Sequence, residues 1–233
     1  MKQLINDLKE SLQVLADPKR KEFAKTSYPT KMEVIGVTVP NLKLVLKELK
    51  TLTKEFSISD KLELAKSLIY EEVFELQQVA FEFLDSNKKV LKSLTKDDIK
   101  ELGRNLDNWL SVDYYSACIV GFAWREKLID IHDIKKYLES EDFWIRRIAI
   151  VATVSLNQKA RGGKGDSQQT LEVCKEVIDD HHEMIVKALS WALRELAKNE
   201  KEPVAEFIDM YKERLHRKVI REVTTKLETG RKK

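Results

Sequence analysis

Glycine, proline and cysteine are scarce in this chain of 233 residues, which has seven Gly, four Pro and two Cys. So few Gly and Pro residues leave little material for β-turns, which disfavours a fold built from many short strands. The two cysteines, Cys118 and Cys174, sit within apolar stretches of helical pattern. We therefore expect both to be reduced, buried side chains, as in a protein of the reducing cytosol.

Long apolar segments are also missing. The longest runs, such as residues 148–156, fall well short of the ~20 residues that a membrane span needs. Residues 1–7 carry an acid early and lack the apolar block of a signal peptide. The sequence therefore predicts a cytoplasmic protein that does not engage a membrane.

Neither sign of charge dominates the chain. Lys and Arg number 42 against 39 Asp and Glu, for a formal net charge of +3. This balance excludes a uniform basic field around the protein. Any affinity for nucleic acid must then come from sorting the charges onto different faces.

Helical periodicity runs through most of the chain and predicts an all-α fold of about a dozen helices. One stripe of apolar residues follows Pro40, a residue suited to the first turn of a helix: Leu42, Val45, Leu46 and Leu49. Thr95 with Asp98 and Asp166 with Gln169 have the spacing of capping boxes. Residues 32–39 could pass for a strand, but without a partner strand we interpret them as an extended link between helices.

A repeat emerges when helix cores are aligned on their basic residues. The core that begins at Trp144 aligns with one at Met184, 40 residues on, and with one at Leu215, 31 residues further. Such spacings are typical of HEAT-type helix pairs, which stack into a curved α-solenoid with a concave face. We predict a single domain of HEAT-like repeats over residues 1–233. A column of Arg147, Lys187 and Lys218 would make its concave face basic, the alternative being ordinary solvated charge.

Three tryptophans lie beside charged residues at helical spacing. Trp109 precedes Asp113 by four residues, Trp144 precedes Arg147 by three, and Trp191 lies between Lys187 and Arg194. Aromatic, acidic and cationic side chains that face one way on successive helices suit a cationic substrate embedded in a polyanion, such as damaged DNA. The alternative is that the tryptophans belong to the core and that Asp113 forms a structural salt bridge.

Residues 159–166 interrupt the helical pattern. They contain three of the seven glycines and three cations, Lys159, Arg161 and Lys164. We expect this stretch to be non-helical, with backbone N–H groups that could approach a phosphate. It lacks the spacing of a Walker nucleotide-binding loop. Two interpretations stay open, a mobile loop between repeats and a basic loop that contacts a nucleic-acid backbone.

Other chemistry finds little support in the sequence. His181 and His182 adjoin two aspartates, but no second cluster at metal-ligand spacing follows, so no metal site is predicted. Ser and Cys residues lack a nearby His for nucleophilic catalysis.

Several motifs together resemble those of the DNA alkylation repair proteins of the AlkD type, which are built from HEAT-like repeats. The motifs, in chain order, are Ile-Gly-Val-Thr-Val-Pro-Asn-Leu-Lys at residues 35–43, Trp109-x3-Asp113, Trp144-x2-Arg147-x-Ala149 and Ser190-Trp191-Ala192-Leu193-Arg194-Glu195. The resemblance extends over most of the chain. It places the family's catalytic Asp on Asp113, its two cleft tryptophans on Trp109 and Trp191, and its Arg beside the lesion on Arg147.

The resemblance implies a monofunctional DNA glycosylase that acts on positively charged alkylated purines such as N3-methyladenine and N7-methylguanine. No cofactor or metal is expected, because a nucleoside that already carries a positive charge needs neither for hydrolysis. The expected partner is alkylated or branched double-stranded DNA, bound by a monomer. Contacts to the DNA would come from Lys187, Arg194 and Lys218, together with Lys159, Arg161 and Lys164 of the glycine-rich stretch.

Two departures from the family pattern leave a second reading open. Leu110 stands where an acidic residue is expected, and the insertion at residues 161–165 resembles a branch whose members bind DNA without excising bases. The alternative function is therefore non-catalytic binding of damaged or branched DNA. A third is a HEAT scaffold that binds proteins, which would lack the steep salt dependence of a DNA binder.

Overall fold

The computed structural model describes residues 1–231, which form α-helices joined by short turns. The chain divides into two compact units, Met1–Tyr115 and a second that begins at Ser116. The all-α prediction is confirmed. The HEAT-like character of the repeats and the single domain over residues 1–233 stay predictions, and the last two of those residues lie outside the described part.

The first unit holds eight helices, in the order α1 (Lys2–Val14), α2 (Pro18–Ser27), α3 (Val39–Leu52), α4 (Ile58–Tyr70), α5 (Phe74–Ser86), α6 (Lys88–Lys92), α7 (Lys96–Leu102) and α8 (Trp109–Tyr115). α5 packs against α3, α4 and α8. It is the most buried of the eight, and its Phe81 and Phe83 are fully buried. Burial of one such ring stabilises the fold by about 1.5–3 kcal/mol.

Polar caps mark where several of these helices begin. Ser57 and Asp60 form a capping box at the start of α4, and Thr95 and Asp98 form one at the start of α7. The second box is the one predicted from sequence, and it is confirmed. Each cap satisfies backbone N–H groups that have no partner within the helix.

The segment between α2 and α3 is extended, and it pairs with its neighbours through two isolated bridges, Ala16 with Val37 and Glu33 with Val73. The buried carboxylate of Glu75 on α5 accepts the N–H groups of Ile35 at 3.0 Å, Gly36 at 2.7 Å and Val37 at 3.2 Å. The prediction of an extended link is confirmed. The Glu75 carboxylate thus accepts backbone N–H groups that a second strand would otherwise bond.

The second unit begins with a π-helical turn, Ser116–Val120, and contains one 3₁₀ turn, Lys159–Arg161. Its α-helices are α9 (Gly121–Arg125), α10 (Ile131–Leu138), α11 (Phe143–Asn157), α12 (Ser167–Lys175), α13 (Glu183–Leu196), α14 (Lys201–Tyr211) and α15 (Arg217–Thr229). α13 packs between α11 and α15, while α10, α12 and α14 pack against α11, α13 and α15 respectively. α11, α13 and α15 thus each pack against the α-helix that precedes them in the chain.

The N-caps of α11, α13 and α15 show which residues of these three helices correspond to one another. Asp142, His182 and His216 each accept a backbone N–H from the residue two positions on. The caps are therefore 40 and 34 residues apart. Measured from its cap, Lys187 corresponds to Arg147 and to Arg221, not to Lys218. The predicted third core is wrong by three residues, because it was aligned on cations rather than on the cap.

Within residues 1–231, no helix combines the length and the apolar character that a bilayer crossing requires. Both cysteines are buried, Cys118 with 1% of its surface exposed and Cys174 with none. Burial raises the pKa of the Cys174 thiol far above its usual range.

Candidate nucleic-acid interface

Trp109 and Asp113 lie one turn apart on the same face of α8 in the first unit. Trp109 is 38% exposed and Asp113 is half-buried. The indole Nε1 of Trp109 donates a 2.7 Å hydrogen bond to the carbonyl of Ser27 at the end of α2. The indole is thus held in place while more than a third of the residue stays exposed.

An aromatic cluster supports this tryptophan. The Tyr28 ring meets the Trp109 ring edge-on at 6.3 Å and stacks on Phe74 at 4.9 Å. The Arg20 guanidinium lies 5.6 Å from the centre of the Tyr28 ring. Burial raises the pKa of Tyr28, and the charge of Arg20 opposes that rise, so the phenol stays protonated at neutral pH. Tyr28 and Arg20 were not predicted from sequence, because Arg20 lies in the short, polar helix α2 and Tyr28 directly follows it.

The start of α8 is fixed by polar side chains. Asn108 Oδ1 accepts the Ser111 N–H at 3.0 Å, and the Ser111 hydroxyl accepts a 3.0 Å bond from Gln78 Nε2 on α5. The carboxylate of the preceding Asp107 accepts from the Thr30 hydroxyl at 2.6 Å and from the Lys31 N–H at 2.6 Å. The helix that carries Trp109 is therefore tied to α5 and to the segment after α2.

In the second unit, four of the predicted residues line one pocket of about 370 Å³, namely Lys187, Trp191 and Arg194 on α13 and Lys218 on α15. On α13 their spacing of four and three residues puts all three on one helix face. Lys218 comes from the neighbouring helix. Although it does not hold the predicted repeat position, it still reaches the pocket.

Glu222 is the fifth residue of this pocket, and the sequence analysis did not single it out. Its Oε2 accepts a 2.6 Å hydrogen bond from the Ser190 hydroxyl, which in turn accepts one of 3.2 Å from Arg194 Nε. Arg194 Nη2 also lies 3.7 Å from Glu222 Oε2. Burial lowers the pKa of Arg194, and the charges of Glu222 and Glu195 oppose that shift.

Three cations and one carboxylate thus surround the indole of Trp191, which leaves the lining of the pocket positive. Lys187 additionally pairs with Glu183 at 2.6 Å on the exposed side of α13. The hydrogen bond from Lys187 holds the pKa of Glu183 below its usual range. An exposed pair of this kind is weak, so Lys187 can exchange its partner for an incoming anion.

Arg147 does not line this pocket. It is 5% exposed, and its Nη1 donates to the carbonyl of Met184 in the first turn of α13. Trp144 is half-buried against Phe143, whose ring stacks on His182 at 3.9 Å. These contacts join α11 to the start of α13. The predicted exposed column of Arg147, Lys187 and Lys218 is therefore wrong in its first member, which is buried.

The glycine-rich stretch at residues 159–166 is held by hydrogen bonds. Arg161 donates to Gln158 Oε1 at 2.9 Å and to Cys118 Sγ at 2.9 Å, whereas Lys159 and Lys164 are exposed. The Asp166 carboxylate accepts the Gln169 N–H, which is one half of the predicted capping box, but the Asp166 N–H donates to Asn157 Oδ1 at 3.0 Å, so the second half does not form. The expectation of a wholly non-helical stretch is wrong for Lys159–Arg161, a single 3₁₀ turn that ends where Gly162 adopts a φ of +86°.

Lys164 also lines a second pocket of the same unit, of about 560 Å³, together with Trp124, Arg125 and Gln169. The Trp124 indole donates to Gln169 Oε1 at 2.8 Å, which fixes the wall opposite the loop. Among the described residues, no group of three or more His, Cys, Asp or Glu side chains is placed to hold a metal ion.

The structure brings six of the predicted site residues into two groups, each within one unit, whereas Arg147 and the three cations of residues 159–166 lie outside both groups. Trp109 and Asp113 share a face of α8, and Trp191 shares a pocket with Lys187, Arg194 and Lys218. That the two groups act on one substrate stays a prediction.

Comparison with known proteins points to a family and to similar solved structures. The sequence model of a family described as DNA alkylation repair enzyme matches residues 8–227. A solved structure described as a predicted DNA alkylation repair enzyme from Enterococcus faecalis superposes with a TM-score of 0.74. The two chains are 17% identical, and the match covers 92% of this chain and 97% of the other. At that identity the likeness concerns the fold. No curated protein sequence matches the chain.

Proposed function

Because the chain belongs to the DNA alkylation repair enzyme family, we propose that it hydrolyses the N-glycosidic bond of positively charged alkylated purines in duplex DNA. N3-methyladenine and N7-methylguanine are the substrates of this proposal. The observation that carries it is the pairing of Asp113 with the fixed, partly exposed ring of Trp109 on one face of α8.

Hydrolysis of this N-glycosidic bond needs little catalytic assistance, because the alkylated purine already carries a positive charge and is a good leaving group. The bond from C1′ to the base nitrogen breaks, and its electron pair goes to the base, which departs neutral. Positive charge then develops on the sugar, where the carboxylate of Asp113 would stabilise it. Water adds to C1′ and releases its proton to Asp113 or to solvent.

The tryptophans would hold the cationic nucleotide through their ring faces. A cation over an indole gains about 0.5–2 kcal/mol, more where water is excluded. Trp109 is suited to this role because its N–H is already bonded to Ser27, so the ring does not have to be ordered on binding. Trp191 would contact the nucleotide through its ring, with the cations of its pocket on the adjoining phosphates.

Phosphates of the strand would bind to Lys187, Arg194 and Lys218, whose charges are directed at one pocket. Such contacts position the protein on the duplex without reading its sequence. Arg147 would contribute by holding the start of α13, the helix that carries Lys187, Trp191 and Arg194. A direct contact between Arg147 and a phosphate stays a prediction.

The test is release of N7-methylguanine from methylated duplex DNA. We expect release by the wild type, and a loss of about 10²-fold or more for Asp113→Asn with binding to duplex intact. Asp97→Asn, which changes an exposed carboxylate of α7, is the matched control and should act as the wild type. The proposal fails if the wild type releases no base.

Trp109→Phe separates the ring from its hydrogen bond. The variant keeps an aromatic face but cannot donate to Ser27, so we expect slower release and weaker orientation of the nucleotide. Unchanged release would mean that the anchoring of the indole is not needed.

A second candidate function, non-catalytic binding of branched DNA, is favoured by one feature, the exposed Lys159 and Lys164 on the ordered stretch of residues 159–166. Lys159→Gln with Lys164→Gln tests it better than a deletion of residues 161–164, which would also remove the hydrogen bonds of Arg161. Under this function the double variant loses more affinity for a junction than for plain duplex. Equal losses on both substrates contradict it.

A further inference from the structure

A row of lysines in the first unit belongs to neither of the two groups of candidate site residues. Lys43, Lys47 and Lys50 of α3, and Lys54 just beyond it, line a groove of about 560 Å³. At 100° per residue the three helical lysines fall within about 60° of arc, on one face of α3. From sequence, α3 is recognised by its apolar stripe and by the motif at residues 35–43, neither of which indicates a basic face.

These lysines keep their charges largely available to a ligand. All four are exposed, and within residues 1–231 no carboxylate pairs with Lys43, Lys47 or Lys50. Lys54 lies 4.0 Å from Glu55, with both side chains more than four-fifths exposed, so that this pair is weak. The like charges repel one another in the unliganded protein, and an anion would relieve that repulsion.

The wall opposite α3 includes one acidic side chain, Glu82 on α5. Burial raises the pKa of Glu82, whereas the charges of Lys43 and Lys50 lower it. Even with Glu82 ionised, four cations against one carboxylate leave the groove with a surplus of three positive charges.

The shape of the row fits an extended polyanion better than a compact anion. From Lys43 to Lys50 the helix rises by about 10 Å, which matches the rise of about three base pairs along the axis of a DNA duplex. A membrane surface is a poorer fit, because insertion needs an apolar face beside the cations. Leu46 is the one apolar residue among those that line the groove, and it is 7% exposed, while Val45 and Leu49 are buried in the core and the exposed Leu44 and Leu52 do not line the groove.

We propose that this lysine groove binds the phosphate backbone of duplex DNA independently of any lesion. The choice of DNA as the polyanion rests on the proposed function, but the groove needs neither Asp113 nor an alkylated base. Its contacts would hold the protein on undamaged duplex through charge alone, since lysine ammonium groups on phosphates carry no sequence information.

The experiment measures affinity for an undamaged duplex as a function of salt concentration. The wild type is compared with the triple variant Lys43→Gln, Lys47→Gln and Lys50→Gln. Each lost phosphate contact should reduce the slope of log affinity against log salt by about 1, so the triple variant should lose about 3. The control variant removes the same charge from α6 through Lys88→Gln, Lys89→Gln and Lys92→Gln, and it should keep the wild-type slope.

A Lys→Arg change at the same three groove positions keeps the charge and should restore the slope. Equal slopes for the groove variant and the α6 variant would overturn the proposal, as would a wild type with no salt-dependent binding to duplex. Vesicles of anionic phospholipid form a second arm. Loss of vesicle binding in the groove variant, with DNA binding unchanged, would assign the groove to a membrane surface and overturn the proposal.

The outcome is separable from that of the base-release assay. If the wild type binds duplex through the groove but releases no methylated base, only the proposed glycosylase activity is refuted. If the groove variant has the same slope as the control variant and the wild type releases the base, only the proposed role of the groove is refuted.

Discussion

The hydroxyl of Ser190 on α13 donates a 2.6 Å hydrogen bond to Glu222 on α15, and the same hydroxyl accepts from Arg194. Ser190 thereby links a buried carboxylate to a largely buried guanidinium at the base of the positive pocket. The two charges offset each other, and the serine fixes their separation. Without Glu222, Arg194 would face the neighbouring Lys187 and Lys218 with less compensation.

Glu222→Gln should lower the free energy of unfolding by about 1–3 kcal/mol, because it leaves a partly buried guanidinium without its carboxylate. Urea denaturation measures the loss. Glu183→Gln is the control, since it removes a carboxylate of α13 that pairs with Lys187 in solvent, and it should leave the midpoint unchanged. Similar midpoints for the two variants would show that the Glu222 pairing contributes no more than a surface contact.

Gly36→Ala should destabilise the protein by at least ~2 kcal/mol, because two penalties combine. Gly36 has a φ of +94°, and a Cβ there would come within 2.6 Å of Lys21 Cβ and 2.7 Å of Lys21 N. Gly230→Ala is the matched control, with a φ of +72° and no atom within 4 Å of the added Cβ. Thermal denaturation should show a loss of only about 1 kcal/mol for the control. If the two variants lose the same stability, the positive φ alone explains the loss and the contacts of the added Cβ do not contribute.

Lys66 should make the stability of the first unit depend on pH in the acidic range. Its ammonium lies 2.7 Å from Asp98 Oδ1 and 2.6 Å from Glu101 Oε2. The hydrogen bond from Lys66 lowers the pKa of Glu101. Burial acts to raise the pKa of Asp98, but bonds from Lys66 and Thr95 outweigh it, and the pKa falls below its usual range.

Carboxyls whose pKa is lowered on folding stabilise the protein above their unfolded pKa, near 4, and lose that effect as the pH falls through the lower folded value. The wild type should therefore exceed Lys66→Gln in stability by about 1 kcal/mol at pH 7, and the gap should shrink below about pH 4. Urea midpoints from pH 7 to pH 2.5 measure it. Lys25→Gln, at an exposed pair with Glu22, should show no such change with pH. A gap that is constant with pH would contradict the prediction.

Local patterns predicted much of the fold, because helix stripes and caps depend on neighbours within one turn. Thr95 with Asp98 forms the full capping box that its spacing indicates, and Asp166 with Gln169 forms one half of such a box. The pocket residues Lys187, Trp191 and Arg194 were found for the same reason, since one helix face is fixed by the spacing of its residues.

Contacts between helices could not be predicted in this way. Glu222 lies 28 positions after Arg194, and only the packing of α15 on α13 brings the two together. Arg147 has the spacing of a surface cation, yet α13 covers it and its guanidinium bonds to the Met184 carbonyl. The lysine groove was missed because its row lies on a helix whose apolar stripe already accounted for the pattern.

The burial of both thiols has a consequence for a protein whose proposed substrate arises wherever methylating agents reach DNA. Thiolates are the most nucleophilic groups that a protein offers to such electrophiles, and reactivity follows ionisation and exposure. Cys174 is fully covered and its raised pKa keeps it as the thiol, while Cys118 lies beneath Arg161 with 1% of its surface exposed. We therefore expect both thiols to resist methylation by the agents that produce the proposed substrate.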